Sequence, residues 1–159
     1  MLFLYDICKT IQKGNLVYSL PEQSFYYEPW LDNNFTVILG NSYLGIDIDL
    51  TNNHAVQVSG FSPIALWKKQ RLVLPKCIVG TIRVETDSTF VSGTGVSYGE
   101  DWPSYYDNIQ EVVCLGDTSC FSTDVCVNFA GGCFAVINSS HQLKSVWLKP
   151  IFDNQGTVL

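Results

Sequence analysis

Positive charge is scarce in the second half of the sequence. Between Arg83 and Lys144 the chain has no lysine or arginine. The same stretch carries these carboxylates: Glu85, Asp87, Glu100, Asp101, Asp107, Glu111, Asp117 and Asp124. A surface of one negative sign repels phosphate backbones and speeds encounter with a basic partner. We therefore expect no direct nucleic-acid ligand and predict a basic protein as the partner.

The usual catalytic and cofactor motifs are also missing. The chain has no Gly-Lys-Ser/Thr phosphate loop and no Gly-X-Ser-X-Gly elbow. In "SGTGVSYG", Tyr98 stands where a dinucleotide fingerprint needs its third glycine. Histidine occurs only at His54 and His141, each in a predicted turn, where imidazoles are usually solvated. We expect no catalytic residue and no cofactor, hence a binding protein and not an enzyme.

Long apolar runs and a charged leader are absent as well. No run approaches the ~20 residues that cross a bilayer, and "MLFLYDICKTIQKGN" has neither a basic leader nor a cleavage site. These features predict a cytoplasmic protein without membrane contact. A reducing compartment keeps thiols free, and Cys114, Cys120, Cys126 and Cys133 lack the two-residue gap of zinc sites. We therefore predict free cysteines and no metal.

What the sequence does contain is a strand pattern. Segments such as "FTVILG", "IVGTIRVE" and "DVCVNFA" are short, rich in β-branched and aromatic residues, and bounded by turn residues. They predict one domain over 1–159 that is mainly β, with α+β as the variant, built from antiparallel sheets in a sandwich or partly open barrel. Two β-rich halves, about 15–84 and 111–149, are joined by a loop-rich segment, 85–110.

One helix is predicted at the N-terminus. Apolar residues recur there at helical spacing before a glycine stop signal: Leu4, Ile7, Cys8, Ile11 and then Gly14. The pattern predicts a short amphipathic helix over residues 2–13.

Two hairpins can be placed in register. In "IDIDLTNNHAVQV" a turn at 52–54 sets Ile48 opposite Val58 and leaves Asp47 and Asp49 facing outward. In "VCVNFAGGCFAVI" the Gly131-Gly132 pair predicts a two-residue turn that sets Phe129 against Phe134 and Val127 against Val136.

The stretch "SYGEDWPSYYDN", residues 97–108, combines aromatic rings with carboxylates in the predicted joining segment. Large rings with few rotamers and carboxylates that pair with basic groups are typical of interface hot spots. The predicted partner-binding residues are Glu100, Asp101, Trp102, Tyr105, Tyr106 and Asp107. "FYYEPWLDNN", residues 25–34, repeats the composition. Its secondary patch is Tyr27, Glu28, Trp30 and Asp32.

In general character the chain resembles the immunity proteins of bacterial contact-dependent and polymorphic toxin systems. The acids from Glu85 to Asp124, the "YGEDWPSYYD" aromatics and the run ending "FAVINSSHQLKSVWLKP" carry this resemblance. It is compositional and extends over the whole chain. It implies an acidic inhibitor that docks on a basic toxin, such as a nuclease, and covers or distorts its active site.

Three alternatives stay open at this stage. The rings of 97–108 would equally fill the end of a β-core. A carbohydrate-binding β-sandwich would stack sugars on the same Trp and Tyr faces. A small hydrolase would use Asp47 and Asp49, which a strand places roughly 7 Å apart, near the spacing of glycosidase carboxylates.

Overall fold

The computed structural model describes residues 1–154, which form fifteen β-strands and one 3₁₀ turn, Ile64–Leu66. The strands are β1 Leu2–Ile7, β2 Asn15–Ser19, β3 Ser24–Glu28, β4 Asn34–Leu39, β5 Tyr43–Asp49, β6 Ala55–Phe61, β7 Lys68–Lys69, β8 Cys77–Glu85, β9 Gly95–Tyr98, β10 Ser104–Asp107, β11 Val112–Gly116, β12 Val125–Ala130, β13 Cys133–Ile137, β14 Leu143–Leu148 and β15 Ile151–Asp153. The mainly β prediction is confirmed.

The strands form two mixed sheets and no closed barrel. The first sheet has the order β1-β8-β12-β13-β14-β11-β10-β7, and the second has the order β15-β2-β3-β6-β5-β4-β9. Most neighbours are antiparallel. In the described residues four pairs are parallel: β8 with β12, β7 with β10, β4 with β9 and β2 with β15. Strands that are distant in sequence therefore lie side by side in both sheets.

One apolar core lies between the sheets. Buried side chains from the first sheet, such as Val113 and Val127, share this cluster with Phe35 and Ile46 from the second sheet. Removing apolar surface from water is the main favourable term in folding. A smaller cluster around Leu72 and Trp147 covers the outer face of the first sheet.

The predicted N-terminal helix is wrong, because residues 2–7 form the edge strand β1. Phe3 pairs with Val84 of β8 and is buried, while its neighbour Leu2 is exposed. A helix of about twelve residues is marginal without tertiary packing. The ladder with β8 satisfies the backbone of this segment and places Phe3 in the core, so tertiary pairing overrides the helical spacing.

Both predicted hairpins exist, but their registers differ from the prediction. Val58 faces Ile46 instead of Ile48, because the turn comes earlier than predicted: Asp49 N–H donates to the His54 carbonyl, and Ile48 pairs with Ala55. An irregularity between Asp47 and Ile48 then shifts the pairing by one residue. The turn at Gly131-Gly132 is present, since Ala130 pairs with Cys133. A shift between residues 128 and 130 sets Phe134 opposite Asn128, so the predicted Phe129–Phe134 pair is absent. A β-bulge adds a residue to one strand, and spacing alone does not locate it.

The cysteines correct another prediction. Cys77 of β8 and Cys126 of β12 face each other in the first sheet and form a disulfide, while the other four remain free. Disulfides persist in oxidising compartments, so the free-thiol prediction fails at this pair and cytoplasmic location stays a prediction. Among residues 1–154, no helix is long and apolar enough to cross a membrane.

The segment 85–110 crosses from one sheet to the other. Its strand β9 adds to the edge of the second sheet, with Val96 beside Val37. Its strand β10 joins the first sheet, with Tyr106 beside Val113. Residues 99–103 make the crossing, which brings the acidic and aromatic stretch to one end of the two sheets.

Candidate functional site

A cleft of about 400 Å³ opens at the crossing, and we call it the end cleft. This volume falls within the range of small-ligand sites. Both sheets and the crossing contribute to its walls, which consist of Leu39, Asn41, Ser42, Tyr43, Phe61, Ser62, Pro63, Leu66, Lys68, Glu100, Asp101, Trp102, Pro103, Ser104 and Leu115. Three of the predicted partner-binding residues therefore line one site.

Trp102 forms the inner wall of the end cleft and is held tightly. Its Nε1 donates a hydrogen bond to the Tyr98 carbonyl at 2.9 Å. A side chain at Gly40, Gly99 or Gly116 would meet the indole ring, with a Cβ at Gly116 only 2.8 Å from ring carbons. The half-buried Trp102 thus sits in a slot that glycines keep open. It combines the two predicted roles, because the ring both fills the end of the core and lines the cleft.

Glu100 and Asp101 form the acidic side of the end cleft. Both side chains are exposed, and neither forms a salt bridge within the part of the chain that the structure describes. Lys68 lines the same cleft, but its Nζ lies 5.8 Å from the centroid of the Tyr105 ring. The two carboxylates are therefore open to a cationic group of a ligand.

Tyr43 and Phe61 form the aromatic rim, and the sequence reasoning missed both. They pair across β5 and β6, with ring centroids 6.4 Å apart. Tyr43 is 79% exposed and Phe61 is 44% exposed. In "NSYLGIDI" an aromatic residue at a strand start, out of phase with the buried Leu44 and Ile46, is the only signal that could have indicated this rim.

Tyr105 and Tyr106 lie on β10, outside the end cleft. Tyr106 contacts the core, with its ring centroid 5.1 Å from that of Trp67. Tyr105 points to the other face and packs against the outer cluster. Both are partly buried. They therefore pack against the two sides of the first sheet and do not share an exposed surface with Trp102.

Asp107 is buried, and its carboxylate accepts hydrogen bonds from nearby backbone N–H groups. Its Oδ2 accepts the backbone N–H of Leu72 at 2.9 Å, and its Oδ1 accepts those of Ile109 and Gln110. Hydrogen bonds from the Leu72 and Gln110 backbones lower the pKa of Asp107 to about 2. All of these donors come from the chain itself, so this carboxylate is not offered to a partner.

Several other acids of the second half are neutralised locally. Lys144 Nζ lies 2.7 Å from Asp124 and 3.8 Å from Asp117. Arg83 lies 3.5 Å from Glu85. The two basic residues that bound the Arg83–Lys144 interval thus pair with three of its carboxylates, and the fold brings Lys144 to two of them. The uniform negative field that the sequence predicts is reduced to local patches, of which Glu100 and Asp101 form the one at the cleft.

The secondary patch does not join the end cleft. Tyr27 is buried, where its hydroxyl accepts the Gly131 N–H at 3.0 Å, while Glu28, Trp30 and Asp32 are exposed. These residues precede β4 and lie near the Asn34 and Asp49 ends of β4 and β5. The cleft lies at the Tyr43 end of β5, so the length of that strand, roughly 20 Å, separates the two.

Asp47 faces the outer side of the second sheet, as its strand parity predicts, but it is not solvated. It is 1% exposed, because residues 29–33 cross this face and Leu31 exchanges hydrogen bonds with Gln57. Thr36, Gln57 and Ser59 all donate to its carboxylate. Burial raises the pKa of Asp47, although these hydrogen bonds lower it in part. Its partner in the hydrolase hypothesis, Asp49, accepts from Thr51.

Fold and cleft together define a two-sheet β protein with an open acidic and aromatic site at one end. The chain matches no protein-family model, and no curated protein matches it. The site's chemistry therefore carries the functional argument.

Proposed function

We propose that this protein is a non-enzymatic binding module that holds a basic segment of a protein partner in the end cleft. The observation that carries the proposal is the open pair Glu100 and Asp101 beside the exposed rings of Tyr43 and Phe61. A lysine or arginine side chain gains both a carboxylate partner and an aromatic face in such a site. Within this proposal the protein acts as an immunity-type inhibitor, by covering a basic surface of a toxin.

The cleft favours a protein segment because apolar surface continues beyond it. Leu66 is 69% exposed, and Ile64 is 37% exposed on the adjoining 3₁₀ turn. Interfaces combine a few anchoring rings with a surrounding area that excludes water. Lys68 at the cleft wall partly offsets the negative potential, so we expect aromatic contacts to contribute to affinity alongside charge.

The test compares two charge-matched variants in capture experiments at low and high salt. Glu100→Gln/Asp101→Asn removes two carboxylates from the cleft, and Asp6→Asn/Asp87→Asn removes two exposed carboxylates elsewhere. We expect wild type and control to retain a basic protein that the cleft variant loses, with binding that weakens as salt rises. Addition of the wild-type protein should inhibit the activity of the captured partner. Equal capture by both variants would contradict the proposal.

A second candidate is carbohydrate binding, which the cleft walls favour. Tyr43, Phe61 and Trp102 offer rings for stacking, while Asn41 and Ser104 offer polar groups to sugar hydroxyls. Sugar stacking depends little on ionic strength, whereas a basic partner is released by salt. Screening neutral oligosaccharides at two salt concentrations separates the candidates. Salt-independent binding that Tyr43→Ala abolishes would favour the sugar.

A further inference from the structure

A second depression, of about 320 Å³, lies on the outer face of the second sheet, on the other side of Tyr43 from the end cleft. Thr36, Ser42, Ser59 and Thr94 line it with hydroxyl groups, and we call it the hydroxyl pocket. The register brings these residues together. Gly95 of β9 lies beside Thr36, and Gly45 of β5 lies opposite Ser59. A Cβ at Gly95 would lie 2.8 Å from Ile38 Cδ1, and a Cβ at Gly45 would meet Thr36 Cγ2, so the side chains of Ile38 and Thr36 cover these glycines.

The protons of all four hydroxyls are used within the protein. Thr36 donates to Asp47 Oδ1 at 2.7 Å, and Ser59 donates to Asp47 Oδ2 at 2.9 Å. Ser42 donates to the Leu39 carbonyl at 2.7 Å, and Thr94 donates to the Val91 carbonyl at 2.6 Å. A carbonyl or an ionised carboxylate can only accept, so each hydroxyl must be the donor.

A hydroxyl that has donated its only proton keeps lone pairs for a further contact. The side-chain hydroxyls of Thr36, Ser59 and Thr94 can thus only accept from a ligand. Ser42 Oγ already accepts the Leu44 N–H at 3.1 Å, so it has one lone pair left for a ligand. The buried Asp47 carboxylate is hydrogen-bonded to both Thr36 and Ser59, and in its ionised form it adds negative charge behind these two hydroxyls. The pocket therefore selects a ligand that carries several N–H donors and a positive charge, and it disfavours anions.

We propose that the hydroxyl pocket binds an ammonium group. An ammonium is compact and has three diverging donors, which suits acceptors that come from four different parts of a rounded depression. A guanidinium is planar, and its fork suits a carboxylate or phosphate better than separate hydroxyls. The exposed Tyr43 ring at the rim offers a cation–π contact to the same group.

The hydroxyl pocket shares Ser42 and Tyr43 with the end cleft but not Glu100 or Asp101, so its test can fail or succeed separately. The probe is n-butylammonium chloride, followed by amide chemical shifts in ¹H–¹⁵N NMR spectra, with n-butanol as the neutral control. We expect saturable shifts centred on Thr36, Ser59 and Gly95 with the amine and none with the alcohol. Glu100→Gln/Asp101→Asn should leave this titration unchanged, whatever it does to a basic partner.

Three variants test which groups bind the probe. Ser59→Ala and Thr94→Val each remove one acceptor, so we expect each to weaken n-butylammonium binding about tenfold, the lower end for a hydrogen bond to a charged group. Ser97→Ala, on the exposed side of β9 and outside the pocket lining, is the matched control and should bind like wild type. Thr94→Val keeps the test valid if Ser59→Ala unfolds, because Thr94 does not contact Asp47.

The source of the ammonium group is tested with Nα-acetyl-lysine amide. Binding of this compound at the same residues supports a site for a lysine side chain of a protein. Binding of n-butylammonium alone supports a site for a free amine. The proposal is overturned if no amine gives saturable shifts at the pocket, or if n-butanol produces the same shifts.

Discussion

At the scale of single residues, identical aspartate side chains have different roles because different donors surround them. Asp107 accepts backbone N–H groups and is enclosed. Asp124 is paired with Lys144. Asp101, six positions before Asp107 in the sequence, is exposed at the cleft. Sequence composition assigns these carboxylates one shared function, whereas the structure leaves only part of them available to a ligand.

Asp107→Asn should lower the melting temperature by several degrees at neutral pH. The pKa of Asp107 is about 2 in the folded protein and below its ordinary value. Its contribution to stability is therefore fully present above the unfolded-state pKa and is lost as pH falls towards about 2. The variant should show a smaller loss of stability over that acid range. Thermal melts from pH 7 to pH 2 measure both effects.

Asp101→Asn is the control for this prediction, since its carboxylate is exposed and forms no hydrogen bond to the backbone among residues 1–154. It should melt like wild type throughout. Equal melting curves for Asp107→Asn and wild type would show that the hydrogen bonds to Asp107 add nothing to stability.

At the scale of elements, alternation of side chains predicted most strands, but not their partners. The turn at Gly131-Gly132 followed from local chemistry, and its residues form the expected turn. The pairing of β9 with β4 could not be predicted, because it depends on where a distant edge lies in space. The same holds for the end cleft. The sequence indicated Glu100, Asp101 and Trp102. The position of Tyr43 at a strand start is a weak sequence signal, whereas its pairing with Phe61 at the cleft follows from the tertiary fold.

Gly116→Ala tests how the crossing holds Trp102. Gly116 has φ +97°, and an added Cβ would lie 2.8 Å from the Trp102 ring and 2.6 Å from the Lys144 carbonyl oxygen. We expect a loss of about 1–3 kcal/mol in the free energy of unfolding, as in other overpacked sites. Displacement of the ring towards water should shift its fluorescence to longer wavelength. Urea unfolding and emission spectra report the two effects.

Gly93→Ala is the matched control, because Gly93 also has a positive φ, +79°, but an added Cβ would meet nothing within 4 Å. It measures the cost of backbone conformation alone. If Gly116→Ala costs no more than Gly93→Ala, contact with Trp102 does not determine the choice of glycine at 116.

At the scale of the whole molecule, long-range pairing dominates the architecture. In the first sheet, β1 lies beside β8 and β8 lies beside β12. The Cys77–Cys126 disulfide joins the second of these contacts across a sequence separation of 49 residues. A covalent link over such a loop restricts the unfolded chain more than the folded one.

Cys77→Ala/Cys126→Ala should reduce the free energy of unfolding by about 2–4 kcal/mol, the usual contribution of a disulfide. Chemical denaturation measures the loss, and reduction of the wild-type protein should reproduce it. Cys120→Ala, which removes an exposed free thiol, should leave stability unchanged. A peptide map without reductant that shows Cys77 and Cys126 alkylated separately would contradict the Cys77–Cys126 disulfide.

The position of this disulfide has a consequence for proteolysis. Residues 78–125, including the crossing and the cleft residues Glu100, Asp101 and Trp102, lie inside the ring that the bond closes. A protease that cuts once within this interval opens the ring but releases no fragment. The nicked protein would migrate as one species until a reductant is added, because the bond between β8 and β12 would still join the two fragments.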